Sequence, residues 1–513
     1  MPFNSIFAWV MKKRIHQIDL FRKYPGEVQN EVFERLVAQG ALTEYGKKFD
    51  FDNIKSYQDF KNNVPLRTYE DLKPWIDRVM AGEKKLLWPT ETKWFAKTSG
   101  TTSSRSKLIP VTKESLEDCH YKGGKDLLAL YYNNHSNRKL YNGKHLVIGG
   151  STEMNPNPLS ADSYLGDLSA IIVKNLPWWA EIRRTPAKEI ALLSEWEDKI
   201  DKMARSTIND DVYILAGVPS WTMVFANRVL EISGKSNLKE VWPNLELFMH
   251  GGVNFEPYKE QFKKLIPDPK MNYVQTYNAS EGFFGVQDEA DSDEMLLMLD
   301  YGIFFEFIPM DDFKGTDSTN VIALNDVDVE TNYAMVISSN AGLWRYIIGD
   351  TIRFTSKDPY RFKITGRTKS FINAFGEELI VENVEVAIAE ACVKTNAQIR
   401  EFTVGPVFME GKERGAHEWV LEFIQCPDEM DRFVYVLDER LRELNSDYDA
   451  KRYHDLILEK PIIKVVPTGM FDKWLKEKGK LGGQNKVPRL ANDRVILEQI
   501  LQFSNTNVTA HED

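Results

Sequence analysis

Along its middle third the chain switches repeatedly between short apolar runs and longer stretches with helical spacing, and few architectures accommodate that alternation. Leu146-Val147-Ile148, Val212-Tyr213-Ile214-Leu215, Leu245-Glu246-Leu247-Phe248 and Tyr273-Val274-Gln275 read as strands, with helices expected near 115–132, 188–204, 220–233 and 256–266. Such alternation predicts a mostly parallel sheet covered by helices. Ligands of these sheets sit beyond the carboxyl ends of the strands. There the chain carries Gly149-Gly150, Ala216-Gly217-Val218-Pro219-Ser220, His250-Gly251-Gly252 and Thr276-Tyr277-Asn278-Ala279-Ser280-Glu281. Glycine and small polar residues at four strand ends mark a site, although each pair alone also suits a plain turn.

The flanks read differently. Residues 1–90 are helical in pattern, with Val28, Val32, Leu36 and Val37 spaced for one face, and Thr68-Tyr69-Glu70-Asp71 resembles a capped helix start. From about 295 to 366 the pattern is β-rich, which predicts an antiparallel or barrel-like portion. Past Gly366-Arg367 come a helix over 384–393, strands near 399–408 and 417–425, a helix near 428–444 and a strand over 462–466. The expected fold class is α/β: a large N-terminal domain, 1–366, with mostly parallel sheets flanked by helices plus the β-rich part, and a smaller C-terminal α/β domain, 367–513. A chain of 513 residues is too long for one ordinary core.

Composition narrows the function. The chain is 42% hydrophobic and 27% charged, as globular proteins are, and its net charge of −11 argues against nucleic acid as a partner. A locally basic pocket for a small anion remains compatible with that charge. Three cysteines, Cys119, Cys392 and Cys426, form no zinc spacing and fit a reducing, cytoplasmic setting. Ile6-Phe7-Ala8-Trp9-Val10-Met11 is too short for a signal core, and no run reaches the ~20 apolar residues of a membrane span, so no stable membrane association is expected. There is neither a Gly-x-Ser-x-Gly elbow nor a Gly-x₄-Gly-Lys-Ser/Thr loop, and the eight histidines are scattered.

Three segments carry candidate chemistry. In Lys97-Thr98-Ser99-Gly100-Thr101-Thr102-Ser103-Ser104-Arg105-Ser106-Lys107, hydroxyls crowd around one glycine between two lysines. A backbone curled there presents amide N–H groups and hydroxyls to phosphate oxygens; the same composition also makes a solvated turn. Tyr277-Asn278-Ala279-Ser280-Glu281 follows an expected strand and offers a flat aromatic wall and a carboxylate fit for Mg²⁺ or for the surface. In Trp344-Arg345-Tyr346-Ile347-Ile348-Gly349-Asp350, Asp350 suits ribose hydroxyls or its own turn. Arg345 suits a phosphate or an acidic neighbour.

Taken in order, Thr98-Ser99-Gly100-Thr101-Thr102 with Lys107, Tyr277-Asn278-Ala279-Ser280-Glu281 and Arg345-Tyr346-Ile347-Ile348-Gly349-Asp350 resemble the auxin-responsive (Gretchen Hagen) acyl acid–amido synthetases of plants and their bacterial relatives. That family lies within the luciferase-like acyl-adenylating superfamily. The resemblance runs from Thr43-Glu44-Tyr45-Gly46 to Gly482-Gly483-Gln484-Asn485-Lys486-Val487-Pro488-Arg489. It implies ATP- and Mg²⁺-dependent activation of a carboxylic acid to an acyl-adenylate, then acyl transfer to an amine, in the plant enzymes an amino acid. An acyl-CoA ligase using the same adenylate and a non-catalytic nucleotide-binding scaffold are the alternatives.

Carried over by motif, Ser99, Gly100, Thr101, Thr102 and Lys107 would cradle phosphates, and Tyr277, Asn278, Ala279 and Ser280 would line the adenine and α-phosphate region. Glu281 would hold Mg²⁺. Gly251-Gly252 matches the adenine-side strand end, and Asp350 would grip the ribose with Arg367 close by. Lys486 is the best match to the late catalytic lysine, brought in and withdrawn by rotation of the small domain about Gly366-Arg367-Thr368. The phosphate loop is poorer in glycine than luciferase-like loops, and Lys107 lies one residue further from the leading glycine, which favours the amido synthetase branch. The acyl pocket is least legible: Trp221 and Phe225, one helical turn apart, are its candidates, beside Trp178-Trp179 and Phe283-Phe284.

Overall fold

The computed structural model describes all residues except 1, 100–105, 136–137, 156–162, 254, 256–257, 291, 369–370, 410–413, 454–456, 479–486 and 510–513. They form two compact units. The first comprises Met1–Thr98, Leu108–Gly252 and Phe262–Thr368, and the second Ser99–Lys107, Val253–Gln261 and Lys369–Asp513.

Among the described residues, the first unit is built on one mixed sheet of twelve strands. Lys144–Val147, Val212–Gly217, Leu247–Gly251 and Asn272–Ala279 lie side by side and parallel, with Arg184–Thr185 outside them. Asn272–Ala279 then turns back tightly into Gly282–Val286, which opens the antiparallel half. Met295–Leu297, Tyr360–Arg367, Tyr346–Lys357, Asn332–Ser339 and Ile303–Pro309 continue it, and Ile322–Ala323 closes the far edge. The β-rich stretch is thus antiparallel and extends the parallel sheet, because the hairpin occupies the free edge of the last parallel strand.

Local chemistry explains the boundaries. The strand expected over 245–248 is displaced to Leu247–Gly251: Pro243 precedes it, and Leu245 N–H bonds back to Trp242. The helix expected over 188–204 is two, Lys188–Ala191 and Trp196–Thr207, the second started by Glu195, whose carboxylate accepts from Glu197 and Asp198 N–H. The helix over 115–132 opens with a π-turn, Leu116–His120, before Tyr121–Asn134. In Pro25–Gly40, Val32, Leu36 and Val37 are buried, and Phe33 packs 5.3 Å from Phe60 and 5.0 Å from Phe304. Gln29 on the same helix donates to Leu299 and Ile303 carbonyls and accepts from Phe305 N–H, so it fixes the start of Ile303–Pro309. The Thr68–Asp71 capping box forms as expected at Tyr69–Met80.

A second sheet aligns Thr152–Met154, Tyr164–Asp167, Trp94–Ser99 and Ser106–Val111. The second unit carries the three-stranded sheet Gln398–Val407, Ala416–Gln425 and Ile462–Val466, with the helices Val381–Thr395 and Met430–Leu444 as the pattern indicates. Among the described residues no helix is long and apolar enough to cross a membrane.

Three histidines of the first unit are held neutral. Burial lowers His120 and His145 to about 4 and His250 to about 3, from 6.5. Each binds its proton less readily folded than unfolded, so their stabilising contribution is complete above pH 6.5 and is lost as pH falls toward 4. Thermal unfolding followed from pH 7 to pH 5 should show a declining midpoint, on the order of 1.4 kcal/mol per pH unit for each histidine. A His250→Asn variant should show a shallower decline, and a midpoint unchanged over that range would refute the assignment.

Candidate active site

The carboxyl edge of the parallel strands gathers most of the motif residues that the structure describes. Tyr277, Asn278 and Ala279 were expected to follow a strand; they are the end of Asn272–Ala279 itself, and Ser280-Glu281 forms the turn to Gly282–Val286. The reason is pairing: Thr276 is bonded opposite Gly251 on one side, and Tyr277 opposite Gly285 on the other, so the strand persists to Ala279. Gly251 is required by this approach, since a Cβ there would lie 2.4 Å from the Thr276 carbonyl oxygen, and Gly252 takes φ +83°.

Alternation along a strand sends neighbouring side chains to opposite faces. Tyr277 goes inward: its ring lies edge-on to Phe284 at 4.9 Å and its hydroxyl donates to Asp350 Oδ2. Asn278 goes the other way, its Oδ1 2.8 Å from Nδ1 of His120 in the π-turn. His120 was not singled out by sequence; a π-turn leaves no periodic signature that would have revealed it.

Asp350 and Arg367 face each other across the strands Tyr346–Lys357 and Tyr360–Arg367. The Arg367 Nε lies 2.9 Å from Asp350 Oδ1. Gly349, at φ +99°, supplies the backbone conformation of the bulge before Asp350, where Tyr346–Lys357 slips register against Asn332–Ser339, a conformation that an L side chain resists. Asp350 is therefore held by a phenol on one oxygen and a guanidinium on the other. A carboxylate offers about four acceptor positions, so it retains capacity for two further hydroxyls. Burial, and next the Asp350 charge, push the Tyr277 hydroxyl well above its usual value, and it stays protonated as a donor.

Glu281 is 8% exposed, and its charge acts on the phenols of both Tyr277 and Tyr346. Tyr346 is fully buried, and its hydroxyl has no hydrogen-bond partner among the described residues. A buried polar atom left unpaired costs about 1–3 kcal/mol. Burial, and next the charge of Glu281, hold that hydroxyl well above its usual value, so it stays protonated. Tyr346→Phe should leave thermal stability unchanged or slightly raised, with nucleotide binding within about twofold of wild type. A variant with a markedly lower unfolding midpoint would show that the hydroxyl is bonded in solution.

The remaining candidates fall elsewhere. Gly100, Thr101, Thr102 and Lys486 lie outside the described residues. Ser99 ends the strand Trp94–Ser99, and Lys107 is a buried residue of Ser106–Val111, 5% exposed. Arg345, open between a phosphate and an acidic neighbour, is paired with Glu306 in the core. Phe225 is fully buried and stacks on Trp242, whereas Trp221 packs against Trp196, so the two do not form a shared wall. Trp178 is largely exposed and Phe283 and Phe284 are buried. Among the described residues no group of three or more His, Cys, Asp or Glu is arranged to hold a metal ion. Mg²⁺ on a nucleotide does not require one, since a single carboxylate with phosphate oxygens and water serves.

Comparison with known proteins places the whole chain. The chain is 22% identical over 567 residues to the indole-3-acetic acid-amido synthetase GH3.4 of Arabidopsis thaliana, covering 95% of this chain and 92% of that protein. It is 23% identical over 542 residues to the 4-substituted benzoates-glutamate ligase GH3.12 of the same plant, covering 90% and 92%. The solved GH3.15 acyl acid amido synthetase superposes with a TM-score of 0.57 at 20% identity, covering 94% of this chain and 93% of that one, so the fold is shared. Models of the GH3 family N-terminal, central and C-terminal domains match residues 14–271, 296–367 and 382–495 in that order. With most of its length matched by these three models, the chain belongs to the GH3 family.

Proposed function

We propose that the protein is an adenylate-forming ligase that activates a carboxylic acid with ATP and transfers the acyl group to an amine, an amino acid. The observation that carries this reading is Asp350, set at the carboxyl edge of the sheet by Tyr277 and Arg367 with acceptor capacity to spare. The amide-forming names of its relatives support the choice of acceptor.

In the first half-reaction an acid carboxylate oxygen attacks the α-phosphorus, the bond to the bridging oxygen breaks, and pyrophosphate leaves with that electron pair. In the second, the amine nitrogen attacks the acyl carbonyl, loses a proton, and AMP departs with the former carboxylate oxygen. Little covalent work falls to the protein; positioning and fixed charge dominate. Asp350 grips the ribose hydroxyls, the Tyr277 ring walls the adenine with Gly251-Gly252, and Asn278, Ala279 and Ser280 line the α-phosphate region. Mg²⁺ would be held by Glu281 with phosphate oxygens, neutralising charge on the leaving pyrophosphate. Ser99, Gly100, Thr101, Thr102 and Lys107 cradle the outer phosphates. Lys486, on a mobile domain of residues 367–513 following the large domain 1–366, enters for adenylation and withdraws for transfer. Three free cysteines support a cytoplasmic setting.

Pyrophosphate release screened against aryl and aliphatic carboxylic acids, with amino acids or coenzyme A supplied and products weighed by mass spectrometry, tests the reading. An amide conjugate is expected. A coenzyme A thioester would reassign the acceptor, and no pyrophosphate from any acid would leave a binding scaffold.

A further inference from the structure

His120 is a buried titratable group that this chemistry leaves unused. It ends the π-turn Leu116–His120, where Tyr121 N–H bonds back to the Leu116 carbonyl, one residue beyond the ordinary helical partner. Turns of this kind are rare and recur at functional sites. The neighbours of His120 are engaged elsewhere. Phe283 N–H donates to Cys119 Sγ at 3.1 Å, the Tyr121 hydroxyl donates to the Asn175 carbonyl at 2.7 Å, and Lys122 pairs with Asp300 at 3.0 Å. At Gly123 a Cβ would lie 2.5 Å from the Phe283 ring, so the helix rides tightly on the strand Gly282–Val286. That strand pairs with Asn272–Ala279, which fixes His120 relative to the strand end.

The ring is a neutral acceptor. Its Nδ1 lies 2.8 Å from the carboxamide oxygen of Asn278. That oxygen can only accept, so Nδ1–H donates to it and Nε2 keeps a bare lone pair. Nε2 has no hydrogen-bond partner among the described residues, and it is not sealed from solvent although the residue is only 5% exposed. Burial holds the ring at about 4, and among the described residues no charged group acts on it. A base that weak does not take a proton from an amine near pH 7. The lone pair instead suits a donor that keeps its proton, an uncharged O–H or N–H. An ammonium would find no counter-charge there, and a carboxylate would meet a second lone pair.

Asn278 and His120 lie on the face of the strand end opposite Tyr277, which is bonded to Asp350. With the nucleoside on the Tyr277 face, the acid carboxylate meets the α-phosphate at Asn278 to Ser280, and the body of the acid is the ligand group that faces His120. We infer that His120 is a specificity-determining residue: its Nε2 accepts a hydrogen bond from an uncharged O–H or N–H on the acyl acid, so the preferred substrates are carboxylic acids that carry such a donor. The inference rests on the adenylate-forming reading and narrows its acid class. An acid without the donor displaces water from Nε2 and returns nothing, and a site arranged around such a bond discriminates against it.

ATP–pyrophosphate exchange by the full chain, run without amine, tests it on matched aryl acids: hydroxy-, amino- and methyl-substituted benzoic and phenylacetic acids. The hydroxy and amino arms distinguish an O–H from an N–H donor, and the methyl group fills the same space without one. For wild type, kcat/KM for the best hydroxy or amino acid is expected to exceed that of its methyl counterpart about tenfold or more. His120→Phe keeps a flat ring without the acceptor, and the ratio should fall to about twofold or less. His120→Gln restores a side-chain oxygen and should keep part of the preference; His120→Met replaces His120→Phe if the latter does not fold. The readout is a ratio between two acids on one protein, so a general loss of activity does not move it. Equal use of methyl and donor-bearing acids by wild type, or a preference that His120→Phe retains, would overturn the inference and leave the adenylate-forming reading standing. Wild-type protein that exchanges with no carboxylic acid, aryl or aliphatic, would instead overturn that reading.

Discussion

Replacing Asp350 by alanine should weaken AMP binding about 100-fold or more, a larger loss than any other single change in the first unit is expected to cause in nucleotide affinity. Each hydrogen bond to a charged group contributes about 1.5–3 kcal/mol, and a ribose presents two hydroxyls to the same carboxylate. The variant also strips Tyr277 and Arg367 of their shared partner, so two donors are left where an acceptor stood. Asp350→Asn keeps the shape and one acceptor, and should lose less. Tyr277→Phe retains the ring and forfeits only the orienting phenol, for a loss of about tenfold. Calorimetric titration with AMP checks the series; equal affinities for wild type and Asp350→Ala would remove Asp350 from the site.

Arg345→Met should instead cost about 3–5 kcal/mol of stability while leaving the nucleotide affinity of the folded protein within about twofold. Arg345 is 4% exposed and Glu306 fully buried. The guanidinium reaches both Glu306 oxygens at 2.9–3.1 Å and donates to the Val64 carbonyl at 2.7 Å, while Tyr57 donates to Glu306 at 2.9 Å. Without the arginine, Glu306 is a buried carboxylate facing one phenol. The double variant Arg345→Met/Glu306→Gln removes the stranded charge and should recover part of the loss. Thermal and denaturant unfolding read this directly. A stable Arg345→Met that no longer binds nucleotide would return the arginine to the phosphate-clamp role the sequence had also allowed.

Those two residues show what sequence can and cannot convey. Arg345 and Asp350 stand five positions apart in one motif, yet one is a core ion pair and the other an edge carboxylate. The difference lies in Glu306 and Tyr277, both distant in sequence and brought up by tertiary packing from strands not paired with Tyr346–Lys357. The parallel sheet was legible because apolar runs and helical stretches alternate with clear period. The extent of Asn272–Ala279 was not, since Tyr277-Asn278-Ala279 carries neither β-branching nor strict polarity alternation and persists as strand through its two neighbours. Phe225 at helical spacing from Trp221 gave no hint of facing Trp242, as both faces of that helix are apolar. Tyr346 adds a third reason: burial of a polar group is a tertiary property, and nothing local in Arg345-Tyr346-Ile347 announces it.

We propose that the ends of Leu247–Gly251, Asn272–Ala279 and the Gly349-Asp350 bulge form one nucleotide site. A crystal of the full chain grown with AMP tests it most directly. Ribose hydroxyls are expected on the Asp350 carboxylate and adenine between Tyr277 and Gly251-Gly252. AMP seated away from these residues, in protein shown by calorimetry to bind it, would contradict the account.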